Sequence, residues 1–425
     1  MSASSGAPYP ILDAQSLPQR LASLPQVRAL LGGQSDAWRV REVGDGNLNL
    51  VFLVDGPLGA VCVKQALPYV RVAGPSWPMT PERAFFENAY YSAVAPYVDA
   101  LVPQIHHYDP ELYCTVMERL SPHIILRHGL IEGRRFPRLG HDVGEYVARA
   151  SFYTSDLAVP FERKMQMMAL FAANQPLIRI TVDLIFTDPY GESPRNRHTS
   201  PQLDGLATEL RADARLKLAV ARLGHRFLTD AQALLHGDLH SGSVMVTQSD
   251  TRVIDPEFAF CGPIGFDLGA FFGNLLLAWY AQPGHATAQD DRVAYQGWIL
   301  EQAQLFWESF AQRFLALWRQ QAHGDAYPQR MFSQPADAVA LERARAEFLR
   351  GLFADMLGYG ACKMIRRILG FAHVIDFERI IDAERRADCE ARALELARTL
   401  LTHPEQFASL ADVIGAVPRM PARRL

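Results

Sequence analysis

Strand-forming and helix-forming segments are segregated along this 425-residue chain, and that segregation restricts the fold more than any composition figure. Short runs rich in β-branched and aromatic residues, bounded by turn residues, crowd into the first part: Trp38 to Val43, Leu50 to Val54, Ala60 to Lys64, Gln104 to Tyr108 and Leu112 to Met117. The first three read as an antiparallel meander. A helix is predicted over Pro81 to Tyr97, with Thr80 as N-cap and Pro81 at the first helical position. From His141 onward the apolar spacing is helical, over His141 to Ser155, Leu203 to Leu228, Gln296 to Gln321, Ala336 to Leu357 and Ile380 to Leu401. One β-rich island, Leu234 to Asp255, interrupts it. The aperiodic stretch Phe186 to Gln202, carrying Pro189, Gly191, Pro194 and Pro201, reads as a long surface loop. A chain of this length exceeds what one core usually serves. The pattern predicts an α+β, two-lobed molecule: an antiparallel β-rich lobe over residues 1–120, a hinge near Met117 to Ser121, and a larger, mostly helical lobe over residues 121–425.

Hydrophobic residues at 49% and charged residues at 21% are ordinary globular proportions, so nearly the whole chain should fold. Forty-two basic residues against 46 acidic ones give a net charge of -4, which supplies no global basic field for duplex nucleic acid. The five cysteines are scattered without a CxxC pair, arguing against a zinc or redox site and for a reducing, cytoplasmic compartment. Met1 to Pro10 lacks a basic segment and an apolar core, and the longest apolar run, Phe266 to Ala281, is short and holds Asp267 and Asn274; neither secretion nor a membrane span is expected.

The chemistry concentrates in the β-rich island. His236-Gly237-Asp238-Leu239-His240-Ser241-Gly242-Ser243 leads into an apolar strand, and after a turn comes Val253-Ile254-Asp255-Pro256-Glu257. Either aspartate alone could merely cap a turn or end a strand. Together, on two strands running back beside each other, they set two carboxylates at one cleft. Phosphoryl transfer needs that pair: one to orient and deprotonate the acceptor hydroxyl, one to hold the metal that bridges the nucleotide phosphates. Asp238 suits the first role and Asp255 the second.

Upstream, Gly44-Asp45-Gly46-Asn47-Leu48-Asn49 lies between two predicted strands, where a glycine turn can bring backbone N–H groups near phosphates, although such a turn is otherwise only a hairpin. Lys64 ends an apolar strand, the position of a phosphate-binding lysine in kinase-like folds. Glu87 on the following helix is the candidate partner for Lys64, with Glu82 as the alternative.

The paired motifs resemble those of the aminoglycoside phosphotransferase and choline kinase group, and so imply a bilobal protein-kinase-like fold. Ser243 stands where that group usually has asparagine, which puts its second metal position in doubt. The flanks narrow the resemblance. Val253 through Asp267, Gly44 through Phe52, Leu184 through Tyr190, His236 through Ser243 and Met364 through Ile368 are similar to the 5-methylthioribose kinase family, which also tends to carry that serine. The resemblance implies phosphorylation of the anomeric hydroxyl of 5-methylthioribose, with ATP and Mg2+ as cofactors and a homodimeric enzyme. It implies Asp238 as base; Asp255 and Glu257 as magnesium ligands, the latter on the same face of an extended chain; and Arg366 and Arg367 at the sugar and transferring phosphate. ATP would be held by Gly44, Asp45, Gly46, Asn47, Asn49, Lys64 and Glu87, and by Met117, Glu118 and Leu120 at the adenine, with Asn47 also reaching the acceptor. Asp267 is assigned a structural role. Another hydroxyl acceptor, such as choline, homoserine or an aminoglycoside, stays open, as does a nucleotide-binding pseudokinase.

Overall fold

The computed structural model describes residues 9–44, 48–71 and 74–422. Five antiparallel strands, β1 (Arg39–Val43), β2 (Asn49–Asp55), β3 (Ala60–Ala66), β4 (Ile105–Asp109) and β5 (Cys114–Glu118), form a sheet in the order β1-β2-β3-β5-β4. Register places Phe52 opposite Val63, Val54 opposite Val61 and Val63 opposite Val116, all buried. With a side-chain period of two these residues share one face, which packs beneath the short helices Leu17–Ala22 and Pro25–Leu31 in a small separate core. The same alternation turns Lys64 to the other face, toward helix α1 (Arg83–Val94). That helix starts at Arg83 rather than Pro81, because Thr80 Oγ1 accepts the Glu82 N–H in a preceding turn and no side chain caps the helix itself.

The larger core belongs to the helices α2 (Leu126–Ile131), α3 (Leu139–Tyr153), α4 (Ile264–His285), α5 (Val293–Gln321), α6 (Pro335–Leu369) and α7 (Ala383–Thr402), and takes in Phe86, Tyr90, Tyr91 and Val94 of α1. The β-rich island becomes β7 (Ala233–Leu235), β8 (Val244–Val246) and β9 (Thr251–Val253), followed by β10 (Phe260–Gly262). β8 pairs with β9 and with β6 (Ile124–Ile125), while β10 pairs with β7.

Three further expectations change. The helix read over Leu203 to Leu228 is two, Asp204–Ala212 and Ala214–Thr229, because Asp213 accepts the N–H groups of Arg215 and Leu216 as an N-cap. The helix read over Ala336 to Leu357 runs on to Leu369. The stretch 186–202 is not mere surface: Asp188, Pro189 and Tyr190 are buried, and Arg195 pairs with Asp188 at 2.8 Å.

α4 is the one described helix long and apolar enough to cross a membrane, and its apolar window is wholly buried inside the protein. It packs so closely on α6 that a Cβ on Gly269 would lie 2.5 Å from Gly360 N and 2.7 Å from Met356 O. Gly269→Ala should therefore cost about 1–3 kcal/mol by overpacking. Thermal melting checks it, and an unshifted midpoint would refute the close-packing argument.

Candidate active site

β7 delivers the chain into His236-Gly237-Asp238. Gly237 has φ +84°, and a Cβ there would meet Phe258 O at 2.1 Å, so the loop requires glycine at this point. Asp267, on the first turn of α4, accepts the N–H groups of His236 at 2.7 Å and Gly237 at 3.0 Å, the buttressing expected of it. His236 Nε2 donates to Ile254 O at 2.8 Å, tying this loop to the one that carries Asp255. The Ser243 hydroxyl donates to Asp238 O at 3.0 Å, so it braces the loop from within.

The Asp238 carboxylate thus sits on a rigid support. Lys363 Nζ lies 2.9 Å from Oδ1 and His240 Nε2 3.2 Å from Oδ2. Burial alone would raise its pKa, but Lys363, then His240 and Arg367, hold it well below the usual carboxylate range. His240 is itself driven down to about 3, chiefly by burial. A neutral imidazole whose Nδ1 accepts the Gly242 N–H carries its proton on Nε2, facing Asp238. Asp238 is therefore an ionised carboxylate at neutral pH, with 23% of its side chain exposed.

Across the cleft Lys64 bonds Glu87 at 2.9 Å and Asp255; Glu82 instead accepts the Tyr113 hydroxyl. Burial pulls Lys64 down, and Asp255 and Glu87 more than reverse it, so the ammonium stays charged. Lys64 likewise overcomes burial to hold Asp255 low. Contrary to the expectation from sequence, Asp255 and Glu257 do not lie on an extended chain. Asp255 has φ +65° and Glu257 falls in a turn, so the two carboxylates take separate anchors. Glu257 Oε2 accepts from Asn49 Nδ2 at 3.0 Å and from Arg83 Nε at 3.2 Å; Oε1 takes part in neither bond. Arg83 is fully buried and also reaches the carbonyls of Leu48, Leu67 and Thr80, binding Glu257 to the sheet lobe.

Magnesium commonly takes one or two carboxylates and completes its shell with water and phosphate oxygens. Asp255, 44% exposed, fits that demand, with Glu257 Oε1 as the second candidate donor. The described residues contain no cluster of three or more metal-ligating side chains, so any cation here leans on its substrate. Gly44 lies in the turn directly after β1, whereas Asp45, Gly46 and Asn47 lie outside the described residues. Met117 is buried in β5 opposite Cys62; the Glu118 N–H donates to Gln104 O at 2.8 Å and its carboxylate meets Arg252 at 3.1 Å, with Leu120 just beyond the strand.

Arg366 and Arg367 come to the Asp238 side on the last turns of α6, both buried. Arg367 Nη1 donates to Ala372 O at 2.9 Å, but its Nε and the Nε and Nη1 of Arg366 lack hydrogen-bond partners. Burial pushes both guanidinium groups down from their ordinary values, and in Arg367 the neighbouring Arg366 adds to it. Arginine keeps its charge regardless, so these are desolvated donors lacking an acceptor. Arg127 of α2 joins them, bonded to Ser241 Oγ at 3.0 Å and 3.5 Å from Asp376. The 186–202 loop abuts the same region, since Arg197 meets Glu378 at 3.2 Å and its carbonyl contacts His373.

Sequence reading passed over Lys363, Arg127 and Arg83. Lys363 had a signal, standing three residues before Arg366 on one helix and hence on one face. The other two had none, because their partners are remote in sequence.

The description "Phosphotransferase enzyme family" fits residues 39–306, a stretch ending before α6. Over 407 residues the chain is 44% identical to a methylthioribose kinase of Escherichia coli O45:K1, covering 96% of this chain and 97% of that protein. It is 45% identical to methylthioribose kinase 1 of Oryza sativa subsp. japonica, covering 95% and 94%, and 41% identical to a methylthioribose kinase of Yersinia pestis (strain Pestoides F), covering 90% of each. With this extent of likeness joined to the paired carboxylates, the chain belongs to the phosphotransferase enzyme family and, within it, to the methylthioribose kinases.

Proposed function

We propose that the protein transfers the γ-phosphate of ATP to the anomeric hydroxyl of 5-methylthioribose, giving 5-methylthioribose 1-phosphate and ADP, a step of methionine salvage. The observation that carries the substrate is 44% identity along 96% of the chain to a methylthioribose kinase. The chemistry is supported by the site. Asp238 accepts the hydroxyl proton as the oxygen attacks the γ-phosphorus and the bond to the β-phosphate oxygen breaks. Arg366 and Arg367 supply the free N–H groups that the transferring phosphoryl oxygens need. Lys64, held by Glu87, reaches the nucleotide phosphates together with the loop from Gly44 to Asn49. Asp255, with Glu257, would hold magnesium, which would supply positive charge to offset that building on the phosphates. The Glu118 amide is engaged by Gln104, so adenine contact falls to the Glu118 carbonyl and the Leu120 backbone, beside Met117. A soluble, cytoplasmic homodimer accompanies this reading on family grounds.

Acceptor profiling tests it. Measured as kcat/KM with ATP and magnesium, 5-methylthioribose should exceed choline, homoserine and an aminoglycoside by orders of magnitude. Preference for any of those three would overturn the substrate while leaving a kinase.

A further inference from the structure

We propose that Lys363 is a positioning residue for Asp238, fixing the orientation of the carboxylate and keeping it ionised for proton abstraction from the acceptor. The inference rests on the reading of Asp238 as the base. Lys363 lies 125 residues away in sequence, on α6, and its side chain is 3% exposed. Its ammonium has two neighbours of favourable sign: Asp238 Oδ1 at 2.9 Å and the face of the Phe266 ring, whose centroid is 4.6 Å away. Arg366 and Arg367 on the same helix oppose it, and Asp267 behind the loop is a more remote anion.

A lysine buried beside two arginines, with one counter-ion, is a poor device for stability. Ion pairs of this kind are often replaced by apolar residues at no cost in folding free energy. It is a good device for Asp238. Oδ1 is taken by Lys363 and Oδ2 by His240, so the carboxylate plane is fixed from two sides while the cleft edge stays open. The groups facing that carboxylate are Lys363, Arg366 and Arg367 from α6 and His240 from its own loop, with Arg127 behind His240. With the folded carboxyl held low, the base is ionised across neutral pH and fails only as pH falls to that depressed value. Without Lys363 its pKa rises, and the acid limb of kcat/KM moves to higher pH.

The test compares wild type, Lys363→Met and Lys363→Arg by pH profile, ATP affinity and thermal melting, using whichever acceptor wild type phosphorylates most efficiently. Lys363→Met should lower kcat by roughly 10–100-fold through lost orientation, leave ATP affinity unchanged, shift the acid limb upward by at least about one pH unit and, because it removes one partner of a buried pair, lower the melting temperature. Lys363→Arg should restore much of kcat and the original limb. An acid limb unmoved in Lys363→Met with kcat within about threefold of wild type, or a large loss of melting temperature shared by both variants, overturns the proposal. A wrong acceptor would not affect this comparison, whereas an Asp238→Asn enzyme that kept its turnover would remove the underlying base reading instead.

Discussion

Asp238→Asn is expected to lower kcat by about 10³-fold, within the range contributed by a positioned general base, while ATP affinity changes little. The amide keeps the shape of the carboxylate and can still accept from Lys363 at the Oδ1 position, so the loop braced by Asp267 and Ser243 should hold. What disappears is the acceptor for the hydroxyl proton. Single-turnover kinetics beside calorimetric ATP binding separate the two quantities. Turnover within tenfold of wild type would show that the proton leaves by another route.

The second large effect divides Asp255 from Glu257. Asp255→Asn should reduce turnover by about 10²-fold and raise the magnesium requirement, since one donor of a site with few donors is lost, and should lower the melting temperature less than Glu257→Gln does, because its carboxylate is 44% exposed and Lys64 keeps Glu87. Glu257→Gln should also raise the magnesium requirement, but with a loss of about 2–3 kcal/mol in folding stability. Removing a partner from a buried ion pair typically costs more, about 3–5 kcal/mol; glutamine still accepts a hydrogen bond from Arg83, which keeps its three carbonyl contacts. Urea melts and magnesium titrations of both variants decide it. Equal stability of the two would mean that the Arg83 anchor does not join the lobes as argued.

Much of the site was legible because phosphotransfer confines its acids to short contiguous motifs. Asp238 and Asp255 are flanked by residues that fold locally, Gly237 by its φ of +84° and β8 with β9 by immediate pairing. Lys64 was legible from its place at the end of an apolar strand, and its partner narrowed to two glutamates, Glu82 and Glu87, on the predicted helix. The misreadings share a cause. Asp213 falls inside the apolar periodicity that reads as one helix, but its carboxylate caps the second of two. Asp255 and Glu257 seemed to share a face because an extended chain was assumed, and a left-handed φ at Asp255 removed that premise.

The sequence by itself determined the lobe that is sheet and the lobe that is helix, the chemistry of the paired carboxylates and the family. Those depend on periodicity and on neighbours within a few residues, which the chain states directly. Tertiary structure alone decided the company each charge keeps: Lys363 and His240 around Asp238, Arg83 and Asn49 on Glu257, Arg127 near Arg366 and Arg367. A buried charge is stabilised by whatever lies within a few ångströms, and here those neighbours come from far along the chain, as with the 208 residues that separate Asn49 from Glu257.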